Sequence, residues 1–567
     1  MPHPFHMVRS APIVAAIEAA LVLIGSCGKE RETVGVFDAD ADTTADTTAE
    51  SGGGGTTTIG GATGGNDDST GTDGARFDIA RDDIGDDTGT GPPTSCKIVD
   101  DMDAVGKCDA DAPPNSFEPA IQWMWTAPGE PNSLVTPLVA NLTDDDGNGE
   151  IDLCDVPDVV VVAVEVVSPL AQEGHLYVLD GLTGTVHFMI ADPVDASVTP
   201  AIGDIDGDGL VEIVTGTVDG YLTAFEHDGT PKWKSPQPAW TTWGYEISET
   251  FGSAIALADM DNDGDVEIAA ADFVADHLGN TLFPASHAYE SYTATAIADL
   301  DGDGDQELVL GHAAYHHDGS ELYLAAGVEP GYPQIADLDD DPEPEVLVLN
   351  LQGITVLEHT GQVKYQGLRP TGEPGVGFRR PATVHDFDGD GISEFAVSSA
   401  NWYTVYEADA AIVWKAGVSD QSGLAAGTAF DFLGDGIAEA MYADENNMFI
   451  FDGTGAVLLQ IPRTSGTLIE YPVVADIDND GSAEIVVVSN LFLSAKPASP
   501  TVQVIRDTQD RWIQPRRIWN QHTYHITNVR EDGTIPQFEQ PSWQMLNTYR
   551  TNAQIEGGTV CKPIPAG

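Results

Sequence analysis

Three observations predict an all-β fold built from repeated four-stranded units. An acidic pattern, D-x-D-x-D-G-x-x-E, recurs with copies beginning at Asp144, Asp204, Asp259, Asp299, Asp337, Asp386, Asp431 and Asp476. Each copy runs into a β-rich segment, such as Glu212-Ile-Val-Thr or Glu484-Ile-Val-Val-Val, rather than into a helix. The interval between copies is close to the roughly 45 residues of one four-stranded propeller blade. The expected fold is therefore a β-propeller of four-stranded blades with a loop in each blade and a C-terminal cap. Eight loops predict eight blades, or seven if the longer first copy is not a full blade.

Composition sets the outer limits. The chain has 567 residues, 92 Asp+Glu against 23 Lys+Arg and a net charge of −69. An apolar share of 41% suffices for a folded core and excludes global disorder. The acidity excludes nucleic acid and anionic lipid surfaces as partners, because both repel it.

Taken from the N-terminus, residues 1–26 have the form of a signal peptide: Arg9 precedes an apolar run over 11–24 that is short for a permanent span. The run ends Leu23-Ile-Gly-Ser-Cys27, which resembles the lipobox of bacterial lipoproteins. That resemblance implies export, acylation of Cys27 and a lipid anchor in the bacterial envelope, at the outer membrane or cell surface. Residues 27–95, beyond Cys27, are rich in Gly, Thr and Asp and form a disordered tether. Residues 96–133 lead into the propeller (134–510), and 511–567 form a cap or closure segment. Four cysteines remain, an even number suited to disulfides in an exported chain. Cys96 and Cys108 are close in sequence and are expected to pair, leaving Cys154 for Cys561 as a staple between the two ends of the folded region.

The loop spacing is that of calcium coordination. A hard cation wants six to eight oxygens at about 2.3–2.6 Å, and alternate residues of a curled loop can supply them. Positions 1, 3 and 5 point inward, position 7 offers its carbonyl, and the acid at position 9 closes the site. The predicted ligands are Asp144, Asp146, Asn148 and Asp152 in the first loop, and Asp204, Asp206, Asp208 and Glu212 in the second. Asp259, Asp261, Asp263 and Glu267 follow, then Asp299, Asp301, Asp303 and Glu307, then Asp337, Asp339, Asp341 and Glu345. The last three sets are Asp386, Asp388, Asp390 and Glu394; Asp431, Asp435 and Glu439; and Asp476, Asp478, Asp480 and Glu484. Two loops depart from the pattern. Leu433 removes one ligand from the seventh, and Pro342 replaces the position-6 glycine in the fifth.

Strands surround each loop. A short apolar strand precedes it (Pro200-Ala-Ile, Pro472-Val-Val) and two more follow through Gly-containing turns (Tyr221-Leu-Thr-Ala-Phe, then Lys232-Trp-Lys). These units resemble the FG-GAP/VCBS repeats of integrin α-chain-type β-propellers over about 134–510, although Phe251-Gly-Ser is the sole trace of the Phe-Gly signature. The resemblance implies calcium at a blade edge for each aligned acid set. Ile121-Gln-Trp-Met-Trp125 is expected to complete the last blade beside Val502-Gln-Val-Ile505; in the competing arrangement Arg511-Trp-Ile-Gln514 does so.

The C-terminal segment concentrates Arg506, Arg511, Arg516, Arg517, Arg530 and Arg550 with Trp512, Trp519 and Trp543. It is read as a cap whose arginines pair with acidic loops, in preference to a recognition or catalytic patch. His312, His316 and His317 beside the Asp318-Gly319 turn are read as solvated turn residues rather than a zinc site. No G-x-S-x-G, H-E-x-x-H or P-loop motif occurs. The expected function is therefore a calcium-binding, non-enzymatic surface lipoprotein that binds an extracellular protein or glycan, as in adhesion. The alternative is an extracellular polysaccharide lyase, because calcium-rich propellers of similar type include rhamnogalacturonan lyases.

Overall fold

The computed structural model describes residues 99–565 apart from 101, 103–104, 166–172, 240–252, 272, 287–293, 340, 422–423 and 492–498. The predicted signal peptide, the expected acylation site Cys27, the expected tether and Cys96 lie outside the described residues. The chain is all-β and propeller-like, built from successive four-stranded antiparallel arrays.

The first sheet comprises Leu138–Ala140, Asp158–Ala163, Glu173–Asp180 and Val186–Met189, paired in chain order. The same up-and-down order repeats in the second sheet (Ala201–Gly203 through Pro231–Pro238) and the third (Ser253–Ala258 through Thr281–Pro284). It repeats in the fourth (Ala296–Ala298 through Glu321–Leu324) and the fifth (Gly331–Ala336 through Val363–Leu368). The sixth runs from Thr383–His385 to Ile412–Gly417 and the seventh from Gly427–Phe430 to Val457–Pro462. Two-residue strands, Val194–Asp195 and Val198–Thr199, extend the first and third sheets.

The eighth sheet differs in origin. Val473–Ala475, Glu484–Val488 and Val502–Asp507 supply three strands, and Pro119–Trp125 supplies the outer one. Ile121 faces Ile505 and Trp125 faces Val502. The N-terminal strand thus completes the last sheet, while Arg511 to Gln514 form no strand.

Burial follows strand position. First and second strands are buried throughout, as in Val473–Ala475 and Glu484–Val488, and read as continuous apolar runs. Fourth strands are mostly exposed, as in Val457–Pro462 and Val363–Leu368. These free edges would template pairing with other chains. Pro231, Pro236 and Pro238 in one such strand withhold donors from any such pairing.

Six pairs of neighbouring sheets share one kind of contact. An aromatic residue on the fourth strand packs against a turn glycine of the next sheet, so close that a Cβ there would lie under 3.0 Å from the ring. The pairs are Phe188 with Gly229, Trp233 with Gly279, Phe283 with Gly319, Tyr323 with Gly361 and Trp414 with Gly455. Trp123 of the eighth sheet makes the same contact with Gly184 of the first and donates its indole N–H to Gly181 O at 2.7 Å.

The disulfide pairing differs from expectation. Cys108 bonds Cys561, with a Cα–Cα distance of 5.0 Å, so neither Cys96–Cys108 nor Cys154–Cys561 forms; Cys154 is itself disulfide-bonded. Nearness in sequence was the wrong guide because strand pairing places the cysteines. Gly106–Lys107 runs parallel to Thr559–Lys562, which sets Gly106 opposite Cys561. The bond closes a 453-residue separation. Replacing Cys561 with Ser should lower stability by about 2–4 kcal/mol, read by denaturant unfolding under non-reducing conditions.

The C-terminal segment is not a peripheral cap. Residues 512–530 are largely buried, and Trp519, Asn520, His522 and Tyr524 are fully so. The segment reaches the first strands of successive sheets. Trp519 exchanges backbone hydrogen bonds with Val139, Asn520 O accepts the N–H of Ile202, and Gln521 Oε1 accepts that of Leu257. Farther along, Asn547 accepts the N–H of Asp337, Tyr549 exchanges bonds with Val384, Arg550 O accepts the Thr428 hydroxyl, and Asn552 donates to Val474 O. Its arginines divide between acids nearby, the loops and the interior: Arg506 pairs with Asp510 at 2.9 Å, Arg511 with Asp507 at 2.6 Å, and Arg517 donates to Leu153 O of the first loop at 2.7 Å. Arg516 donates to the carbonyls of Ile526 and Val529, and Arg517 pairs with Glu531 at 2.8 Å.

Candidate metal centres

Each acidic loop leaves the first strand of a sheet and returns as the second, so strand register decides which acid closes it. Gly203 pairs with Glu212, Ala258 with Glu267, Ala298 with Glu307 and Ala336 with Glu345. His385 pairs with Glu394, Phe430 with Glu439 and Ala475 with Glu484. The position-9 glutamate therefore always faces the residue before the first acid. One of its oxygens accepts the N–H of the second loop residue, from Ile205, Met260, Leu300, Leu338, Phe387, Phe432 or Ile477.

The first acid shapes the turn. The N–H at position 6 donates to it from Gly209, Gly264, Gly304, Gly391, Gly436 and Gly481. Every one of these glycines has a positive φ, which L-residues seldom adopt. In the fifth loop Pro342 has neither the N–H nor access to that conformation. The acid at position 5 accepts the N–H at position 7 in the second loop (Leu210 to Asp208), the sixth (Ile392 to Asp390) and the eighth (Ser482 to Asp480).

The remaining oxygens converge. Asp386, Asp388, Asp390 and Glu394 each offer one oxygen within 4.8 Å of the others, and Asp204, Asp206 and Glu212 do the same. The second oxygens of Glu394 and Glu484 are buried with no hydrogen-bond partner, on side chains that are 0% exposed. A buried carboxylate oxygen without a donor is costly. An all-oxygen set with such an atom suits a hard divalent cation, and calcium fits it best. In the seventh loop Leu433 leaves Asp431, Asp435 and Glu439 as the only predicted donors.

Electrostatics agree. Burial, aided by neighbouring aspartates, pushes Glu267 and Glu394 up to about 8. Burial likewise raises Glu212 to about 7, against the opposing pull of Lys232, and Glu484 well above the carboxylate range. Asp259 and Asp431 are raised by burial to about 6. These carboxylates resist ionisation unless a cation joins them.

The first loop is built differently from expectation. Ala140 pairs with Asp158, which thereby takes the place held by glutamate elsewhere, and Asp158 accepts the N–H of Leu142 at 2.9 Å. Asp144 and Asp146 gather with Asp155, whose carboxylate accepts the N–H groups of Asp145, Asp146 and Asp152. Asp152, the predicted closing ligand, instead accepts the N–H of Cys154, and Asn148 accepts that of Glu150. The longer copy hides this because an insertion separates its first acids from the strand that closes it. Only the pairing of Ala140 with Asp158 singles out that acid.

The sequence reading also missed basic residues set against the closing acids: Lys232 at Glu212, Lys364 at Glu345, His316 at Glu307 and His187 at Asp158. His316 and His312 are not both solvated turn residues. His316 Nδ1 lies 2.9 Å from Glu307, and His312 is buried.

Comparison with known proteins agrees with the repeat reading. A family model described as FG-GAP-like repeat matches residues 204–270. No curated protein matches the chain. Among solved structures, the V. cholerae biofilm matrix protein Bap1 is similar with a TM-score of 0.69 and 22% identity, over 79% of this chain and 100% of that one. That similarity shows a shared fold. Two rhamnogalacturonan lyases, YesX and the Bacillus licheniformis PL11 enzyme, align at 17% and 19% identity with TM-scores of 0.47 and 0.46. Each alignment covers 70% of this chain and 75% of the lyase.

Proposed function

We propose that the chain is a calcium-binding, non-enzymatic β-propeller of eight blades, closed by its N-terminal strand, that binds an extracellular protein or glycan. Closure is supported by the shared outer strand of the eighth sheet and by Trp123 seated on Gly184 of the first. Calcium is supported by the partnerless buried oxygens of Glu394 and Glu484. The signal-like N-terminus and Cys27 support export with a lipid anchor in the bacterial envelope, and the shared fold with a biofilm matrix protein is in keeping with an adhesive role.

One observation carries the non-enzymatic reading: the buried C-terminal segment is hydrogen-bonded along the first strands of the sheets. Its hydrogen bonds run from the first sheet (Trp519 to Val139) to the eighth (Asn552 to Val474). Arg516 and Arg517, the bases best suited to neutralise a uronate, are 1% and 4% exposed and bonded internally. A cation at the loops would serve stability and shape the exposed loop surface for a partner.

The test is binding to an array of glycans and envelope or matrix proteins, with calcium and with chelator, alongside an assay for unsaturated uronate products on pectic polymers. The expected result is saturable, calcium-dependent binding without product. Product formation would overturn the non-enzymatic reading.

A further inference from the structure

The loops fall into two classes that the acidic pattern does not distinguish. On the fourth strands that carry a packed aromatic, the residue before it lies across the third strand from the closing acid. In sheets two and five that residue is lysine. Lys232 Nζ lies 2.6 Å from Asp206, 3.1 Å from Glu212 and 3.1 Å from Glu226. Lys364 Nζ contacts Asp339 and lies 2.9 Å from Glu345 and 3.5 Å from Glu358. The same position is Leu282 before Phe283 in the third sheet and Val413 before Trp414 in the sixth; in the eighth it is Gln122 before Trp123. The partnerless glutamate oxygens belong to the sixth and eighth sheets, where no lysine arrives. In the second and fifth loops the corresponding oxygens of Glu212 and Glu345 receive the ammonium.

We propose that Lys232 and Lys364 are built-in counter-cations, so that the second and fifth loops are closed by the chain's own ammonium groups while calcium is drawn to loops with an uncharged residue there. An ammonium offers three donors and one positive charge. It therefore satisfies three carboxylates at once, as Lys232 does. A calcium ion in the same loop would have to share the space with that charge, and like charges at this separation repel strongly in a partly buried site. The fifth loop fits this division independently, since Pro342 has already removed the turn geometry that calcium coordination uses. The second loop is the less expected case. Its Asp204-Ile-Asp-Gly-Asp-Gly-Leu-Val-Glu212 is a complete match to the motif and lies within the family-model match, yet its cation is covalently attached.

The inference rests on the calcium reading, and its test separates the two. Calcium bound per full-length chain is measured by equilibrium dialysis, with melting in calcium and in chelator, for the wild type, Lys232→Met and Val413→Lys. Lys232→Met should bind one more calcium than the wild type, melt lower in chelator and recover when calcium is restored. Val413→Lys should bind one fewer and lose part of the chelator effect. An unchanged ion count in Lys232→Met, with equal destabilisation in calcium and chelator, would make the lysine a packing residue and overturn the proposal. Calcium binding that Glu394→Gln and Glu484→Gln leave undiminished would overturn the calcium reading itself.

Discussion

Chelation should lower the melting temperature by on the order of ten degrees near pH 8, and added calcium should restore it where magnesium does not. A ligand held only by the folded state contributes about 2.7 kcal/mol per site at a hundredfold excess over Kd. Three such sites in a folded region of this size convert, through the usual entropy per residue, to roughly 8 °C. Magnesium fails because it demands tighter octahedral geometry and gives up water reluctantly. The pH dependence of the chelated protein follows from the closing acids. Glu394 and Glu267 ionise at about 8 in the fold, against about 4.3 for an unperturbed glutamate. The unfolded chain loses those protons first, so the contribution of these two acids to metal-free stability is fullest below about pH 4.3 and falls as pH rises towards 8. Calcium requires the ionised form and reverses the trend. The gap between melting curves in calcium and in chelator should therefore widen from pH 5 to pH 8. A constant gap, or none, in thermal unfolding followed by circular dichroism would defeat the assignment.

Replacing Trp519 with Ala should destabilise the protein by about 3–5 kcal/mol, as expected for a large aromatic removed from a packed interior. Trp519 is 0% exposed, stacks with Tyr524 at 4.6 Å between ring centroids and meets Tyr471 edge-on at 6.0 Å. Its backbone joins Val139 of the first sheet in both directions. A peripheral cap would tolerate the change within about 0.5 kcal/mol, the range of ordinary surface substitutions. The urea midpoint measured in saturating calcium separates these outcomes. Keeping calcium in excess ensures that a lost ion is not mistaken for lost packing.

The loops and their strands were legible because each is a local device. In the second loop, the acids at positions 1 and 5, the glycine at position 6 and the strand starting at Glu212 lie within about a dozen residues and bond one another. Repetition then multiplied a modest signal. The outer strand of the eighth sheet was legible for a related reason. Ile121 to Trp125 carries the same aromatic-bearing pattern as the fourth strands, so Trp123 could be recognised as the counterpart of Trp233 and Trp414.

What escaped the sequence were the partners set by register and topology. Asp158 could not be chosen over Asp152 until Ala140 was seen opposite it. The cysteine pairing depended on two end segments running side by side, although 453 residues separate Cys108 from Cys561. The arginines of the C-terminal segment sit in a very acidic chain, yet Arg516 bonds backbone carbonyls in the interior. Lys232 and Lys364 were ordinary strand residues until pleating and register turned them onto Glu212 and Glu345. Short-range spacing dictates which backbone N–H each carboxylate can reach, so the repeating unit, its strands and its acidic loops could be read from the chain alone. Which acid, base and cysteine meet depends instead on distant segments brought together when the sheets pack, and it emerges only in the fold.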